Sequence, residues 1–356
     1  MSYAAGQNEV GRNRLTASRR RRRKRAKFTY ACGSPLNERT DARVLALCGD
    51  RRGFTVIELL IVISVITVLI AVTLPAVQQV RESSRRMTCQ NNIRQIALAC
   101  DNFETSHKHY PASRLFDPYG IGPDSTAWSF LSQLLPYVDQ SSLYDKGGIP
   151  DKTIRESGIA DVTVPIFLCP SDPHSHNGPR YDAGNMVQFL FAVGQSNYKG
   201  VGGANWGADE TQGWTPTDSG THWPNVSVDG SYDGLNHGDG MLGRADWKSP
   251  RKRNDVRDGL TNTFLLGEAL PKYDVYCSWP YANNVHSTCA IPPNIKDPAT
   301  PPDDWPNAQS FRSEHPGGLT FSFADGSTRF ISDSIDLKVY RTLATIAGKE
   351  VVGDNY

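Results

Sequence analysis

No Cys-x-x-Cys pair occurs in this chain of 356 residues, which argues against a zinc ribbon. There is no His-Glu-x-x-His helix and no Gly-x-Ser-x-Gly elbow, so neither a zinc protease nor a serine hydrolase finds its signature. The six residues from Gly238 to Gly243 match a dinucleotide fingerprint formally. They lie in a Gly/Asp-rich loop without the strand before and the helix after that such binding requires. His174, His176, His222, His237 and His286 share no ligand spacing on a common helix. No internal repeat is visible. The expectation is a protein that is not an enzyme and carries no resident cofactor.

Long apolar runs are also scarce: there is one. From Phe54 to Val77 nearly every residue is Leu, Ile, Val or Ala, a length that spans a bilayer as a helix. A single carboxylate, Glu58, stands just inside its start, and no further charge follows until Arg81. A carboxylate within such a segment costs about 2.5–3.5 kcal/mol on insertion scales, so it calls for a partner. Cutting after Gly53 would place a new amino terminus on Phe54, four residues from Glu58. In a bundle, the amine of one helix would meet Glu58 of its neighbour. A secretory signal would need a small-x-small site after the apolar core, and Ala71-Val72-Thr73 is a poor one. Arg51-Arg52-Gly53-Phe54 fits part of a twin-arginine signal, but Glu58 argues against that reading.

The net charge of +1 conceals an asymmetry. Residues 1–53 carry a net charge of +10 and the remainder −9. By the positive-inside bias the basic flank stays in the cytoplasm and the acidic remainder lies outside it. The cluster Arg19–Arg25 therefore reads as anchoring charge, or as sequence ahead of the true start, in preference to a nucleic-acid patch. The segments expected are a disordered, cleaved cytoplasmic leader over 1–53, a transmembrane helix over 54–77, its amphipathic continuation over 78–107, and an extracytoplasmic α+β domain over 108–356. Cys89, Ile93, Ile96, Cys100, Phe103 and His107 recur at spacings of three and four, which marks one helix face. Pro75 removes a backbone bond and predicts a bend. Beyond residue 107 the pattern breaks into short pieces: a helix over 128–137, strands over 164–169, 189–193, 196–198 and 261–268, a long loop over 200–240, and a last helix over 337–347. Residues 319–323 and 328–331 flank Asp325-Gly326, a strong hairpin signal. The fold class is α+β, a long helix against an antiparallel sheet with long loops.

Seven cysteines are present, two of them in the leader. Cys89 and Cys100 stand about 16 Å apart along a helix, too far to pair with each other. Cys277 and Cys289 bracket a short loop and are the disulfide candidates for an oxidising compartment.

The string Arg52-Gly53-Phe54-Thr55-Val56-Ile57-Glu58-Leu59 resembles the processing site of type IV pilins and type II secretion pseudopilins. That resemblance implies a pilin-like fold, cleavage between Gly53 and Phe54 by a prepilin peptidase, N-methylation of Phe54, an assembly role for Glu58 and a helix kink at Pro75. It also implies a single-pass protein of the inner membrane whose partners are the peptidase and other pilin-like subunits. Further on, Cys89-Gln-Asn-Asn-Ile-Arg-Gln95, Cys169-Pro-Ser-Asp-Pro173, Ser196-Asn-Tyr-Lys-Gly200, Asp258-Gly-Leu-Thr-Asn-Thr263 and His315-Pro-Gly-Gly318 occur in this order. They resemble a large pilin-like family of uncharacterised function found in planctomycete-type bacteria, with a C-terminal His-x(9)-Asp-Gly signature. His315, Asp325 and Gly326 fit that signature. His315 and Asp325 would bind a metal or, the preferred reading, fix the loop, with Gly326 at a positive φ. Some pseudopilins bind calcium in C-terminal loops, and Asp229, Asp233, Asn236 and Asp239 offer oxygen ligands without EF-hand spacing. The implied function is a pilin-like structural subunit of a filament. The alternative is a membrane-anchored domain that binds carbohydrate or calcium and never polymerises.

Overall fold

The computed structural model describes residues 54–204 and 238–348. The leader, the Arg19–Arg25 cluster, Gly53 and most of the long loop, including Asp229, Asp233 and Asn236, lie outside the described residues. The chain divides into two units with the boundary after Val65.

Helix α1 covers Val56–His107 and contains Pro75. In the first unit its start is closed by a capping box. Thr55 Oγ1 accepts the Glu58 N–H at 3.2 Å, while Glu58 Oε2 accepts the Thr55 N–H and hydroxyl, each at 2.9 Å. This is the Thr-x-x-Glu reciprocity that satisfies donors a helix start otherwise leaves open. The apolar side chains from Phe54 to Val80 are exposed, and none of the membrane-length window is buried.

In the second unit α1 buries Cys89, Ile93, Ile96, Ala97, Ala99, Cys100 and Phe103, the stripe that periodicity predicts. His107, expected on that stripe, is exposed and stacks its ring on Phe103 at 4.0 Å. The stripe shares one core with Trp128, Phe130, Phe167, Tyr198, Leu266, Trp279 and Tyr281. Both buried indoles donate to backbone carbonyls, Trp128 to Lys152 at 2.9 Å and Trp279 to Val162 at 2.8 Å, so their polar edges are not left bare.

The sheet comprises β1 (Tyr198–Val201), β2 (Phe264–Glu268), β3 (His286–Ser287), β4 (Gly318–Phe323) and β5 (Thr328–Ser332), in the order β3-β1-β2-β4-β5. It is α+β as expected, but the sheet is mixed: β1 pairs β2 antiparallel and β3 parallel. Parallel neighbours need a long crossover, and the chain between β1 and β3 is long enough to build β2 on the way. The predicted hairpin is β4–β5, with Leu319 opposite Ile331 and Phe321 opposite Arg329. Gly326 turns it at φ +81°, where a side chain would be strained. Helix α3 (Leu337–Thr342) buries Tyr340 in a second cluster with Phe264, Phe321 and Phe323.

Two predicted strands are not strands. Residues 165–167 form a short 3₁₀ turn. Pro165 has no N–H to give a ladder, and the segment bonds instead to Asn197: the Asn197 N–H donates to the Phe167 carbonyl at 2.8 Å, and Asn197 Oδ1 accepts the Cys169 N–H at 2.9 Å. Residues 187–189 are likewise a 3₁₀ turn, leaving only an isolated bridge between Arg180 and Val193. The helix expected over 128–137 splits into α2 (Phe130–Gln133), capped by Ser129, and a 3₁₀ turn over Leu135–Val138, whose Pro136 stands at a turn start.

His286, on β3, is buried against the Phe130 ring, with its Nδ1 3.1 Å from the Ala282 carbonyl and its Nε2 3.3 Å from Ser113 Oγ. Burial, reinforced by Lys199 and Arg244 and opposed by the Ala282 carbonyl, pushes its pKa down to about 3. A lowered histidine pKa means the unfolded state takes up the proton first. The stability His286 confers by staying neutral is therefore whole above the unfolded value near 6.5 and falls as pH drops toward 3. At pH 5 the loss is about 2 kcal/mol. Denaturant midpoints of wild type and His286→Gln between pH 7 and 5 should show the shallower acid slope in the variant; equal slopes would refute it.

Candidate functional site

Two places gather chemistry-bearing residues. The first is the helix start. Phe54 is exposed, and Glu58 is held by Thr55 through one of its oxygens. The capping box fixes where the carboxylate stands relative to residue 54 before any neighbour is present.

The second lies in the second unit, where α1, the Cys169–Asp172 turn, β1, β2 and the loop before β4 meet. Cys89 of α1 is joined to Cys169 by a disulfide, with Cα atoms 5.2 Å apart and a sequence separation of 80. The Tyr198 hydroxyl donates to the Cys89 carbonyl at 3.3 Å, and Asn92 Nδ2 donates to the Leu168 carbonyl at 3.0 Å. Asn197 Nδ2 donates to Asp172 Oδ2 at 2.7 Å, and Asp172 Oδ1 accepts the His174 N–H at 2.9 Å. Each motif segment from Cys89 to Tyr198 thus ends on this junction.

His315 is its centre, 2% exposed. Its Nδ1 lies 2.6 Å from Glu82 Oε1, and its Nε2 lies 3.4 Å from Glu268 Oε1 and 3.6 Å from Cys169 Sγ. Glu82 also accepts from Arg85 at 2.8 Å and from the Ser171 hydroxyl at 3.1 Å. Glu268 Oε2 accepts the Thr320 N–H at 2.7 Å. Burial pulls the His315 pKa down, but the carboxylates of Glu268 and Glu82 outweigh it and the net shift is upward. For Glu82, burial raises the pKa and the bonds from His315, Arg85 and Ser171 bring it below the usual carboxylate range. Arg86 faces both carboxylates electrostatically and covers the Phe330 ring at 3.1 Å; burial lowers its pKa.

A model for the family described as a protein of unknown function, DUF1559, matches residues 78–338, and a model for the prokaryotic N-terminal methylation motif matches residues 49–74. The chain belongs to the DUF1559 family. The junction described above falls inside the DUF1559 span, and the Thr55–Glu58 helix start falls inside the methylation motif. The DUF1559 chain is therefore pilin-like at its N-terminus, with the motif that a prepilin peptidase processes and an apolar helix long enough to anchor it in a membrane as a single pass. No curated protein and no solved structure matches it.

Several expectations change in this DUF1559 domain. Cys277 and Cys289 are buried free thiols, not partners. The residues between them are not a surface loop: Trp279 and Tyr281 enter the core and His286–Ser287 form β3. Cys289 ends among Phe311 and Tyr340, whereas Cys277 feels Asp274 and Lys199, which form a fully buried ion pair, and burial pushes its thiol up to about 12. His315 and Asp325 are not brought together as a pair. Asp325 is exposed in the hairpin turn, where its Oδ1 accepts the Ser327 N–H at 2.8 Å. That is the loop-fixing role, performed without His315. Asp239 likewise accepts a backbone N–H, from Ala204 at 2.8 Å. Glu82 and Glu268 carry no local pattern that joins them to His315, because their charges meet only through the fold. Their signal is faint: an acid about two helical turns ahead of Cys89, and an acid closing an apolar strand.

Proposed function

We propose that this chain is the precursor of a pilin-like or pseudopilin-like structural subunit. A prepilin peptidase cuts it between Gly53 and Phe54 and methylates Phe54. The mature chain then packs its apolar segment against those of neighbouring subunits, in or on a filament of the type II secretion or type IV pilus kind. The basic leader stays in the cytoplasm and the acidic domain lies outside.

The observation that carries this reading is the membrane-length apolar face itself, exposed along its whole length and interrupted by one carboxylate inside a methylation motif. A bilayer covers that face before assembly, and neighbouring helices cover it after. Glu58 then has two successive partners. In the free chain it is held by Thr55. In the filament it receives the Phe54 amine of another subunit, a buried ion pair that forms only when the helices are in register. Buried charge pairs of this sort serve best as register devices.

Intact-mass and N-terminal peptide analysis of protein recovered from membranes tests the processing step. The expected chain begins at Phe54 and is heavier by one methyl group. A chain that still carries Arg19–Arg25, or one that begins beyond residue 70, would defeat the reading.

A further inference from the structure

Cys89 Sγ, Cys169 Sγ, a Glu268 carboxylate oxygen and a His315 ring nitrogen all lie within 4.8 Å of one another, and all four residues are buried. The disulfide accounts for the two sulfurs and leaves the other two donors poorly explained. Glu268 Oε1 is buried with no hydrogen-bond partner. The imidazole Nε2 that faces it stands 3.4 Å away, longer than a charge-assisted hydrogen bond. A buried acceptor left without a partner destabilises the fold, and a bound cation would remove that cost. The outer atoms of both groups, by contrast, are firmly held: Glu82 on His315 Nδ1, the Thr320 N–H on Glu268 Oε2. Two donors are thus aimed inward at two sulfurs, each fixed from behind. A carboxylate on the far nitrogen of a histidine is the arrangement that orients metal-binding imidazoles.

We propose that in its dithiol form the chain binds one zinc-type divalent cation through Cys89, Cys169, Glu268 and His315. Two thiolates, one imidazole and one carboxylate are a donor set suited to tetrahedral zinc. Three negative ligands against two positive charges leave one excess negative charge, and Arg86 stands where it interacts with Glu268 and Glu82. The disulfide and the metal exclude one another. A dithiol reductant supplies two electrons and two protons: its own sulfurs join, the Cys89–Cys169 bond breaks, and both cysteines become thiols. The cation then displaces those two protons as two metal–sulfur bonds form, while His315 Nε2 and Glu268 Oε1 each donate a lone pair. In either form Cys89 on α1 stays tied to the Cys169 turn. The proposal does not depend on filament assembly.

The test uses the full chain in detergent, with Cys32 and Cys48 replaced by serine, reduced by a water-soluble phosphine and titrated anaerobically with cobalt(II). One equivalent should produce thiolate-to-cobalt charge transfer and the ligand-field bands of a tetrahedral site, and zinc should abolish both. The oxidised chain should give neither. His315→Gln and Cys169→Ser should each weaken binding by at least about 100-fold and Glu82→Gln by about 10–100-fold, while Cys277→Ala leaves it unchanged. Zinc should also raise the thermal midpoint of the reduced wild-type chain and not of the oxidised one, a reading that needs no variant to fold. Absence of cobalt bands at one equivalent, or binding indifferent to both His315→Gln and Cys169→Ser, would overturn the proposal.

Discussion

Glu58→Ala is expected to leave cleavage after Gly53 intact and to abolish assembly. Two roles of Glu58 are removed together by alanine. The carboxylate half of the capping box is lost, namely the bonds it accepts from the Thr55 N–H and hydroxyl, while Thr55 Oγ1 still accepts the backbone N–H of residue 58; the helix loses about 1 kcal/mol. The proposed partner of the Phe54 amine is lost as well, and an uncompensated buried charge costs about 3–5 kcal/mol. At 1.4 kcal/mol per tenfold, even the lower figure weakens each subunit contact by about a hundredfold, and a filament repeats that contact at every subunit. Glu58→Gln separates the two roles. Glutamine serves a capping box as glutamate does, but it cannot neutralise an amine. Cleaved and unassembled protein in both variants is the expected outcome, read by sedimentation of sheared filaments beside the mass of the membrane-bound chain. Normal assembly with glutamine would assign Glu58 to the cap alone.

The second large effect is loss of the Cys89–Cys169 link. The bridge closes a loop of 80 residues, and the chain-entropy model assigns such a loop about 4.5 kcal/mol. The link also holds α1 to the Cys169–Asp172 turn, over which Asn92, Glu82 and Ser171 make their bonds. Cys169→Ser, or reduction in the presence of a chelator, should lower the thermal midpoint by roughly 10 °C. Peptide mapping without reductant should recover the Cys89 and Cys169 peptides as one species. A Cys277–Cys289 peptide, or an unchanged midpoint on reduction, would show that the bridge does not carry this stability.

Local chemistry made part of this architecture readable in advance. Helix α1 was legible because burial repeats every three or four residues, and the hairpin because alternation flanks an Asp-Gly turn. The processing motif was legible because a peptidase reads contiguous residues. The misreadings share a different cause. Residues 164–169 look like a strand by composition, yet Pro165 and the reach of Asn197 send their backbone bonds elsewhere. The expected Cys277–Cys289 pair rests on two cysteines that bracket a short loop, but Trp279 and Tyr281 draw the intervening chain into the core. The His315 environment was half visible. The histidine stood out in a signature, whereas Glu82 and Glu268 reach it from 233 and 47 positions away.

By itself the amino-acid order determined the membrane-length helix, its single carboxylate and the methylation motif, because each depends on neighbours within a few helical turns. The tertiary structure alone decided which cysteines join, that one strand pair runs parallel, and that two carboxylates meet one imidazole beside two sulfurs. Those contacts close loops of tens to hundreds of residues. Their geometry comes from the packing of a shared core, and no local pattern encodes it.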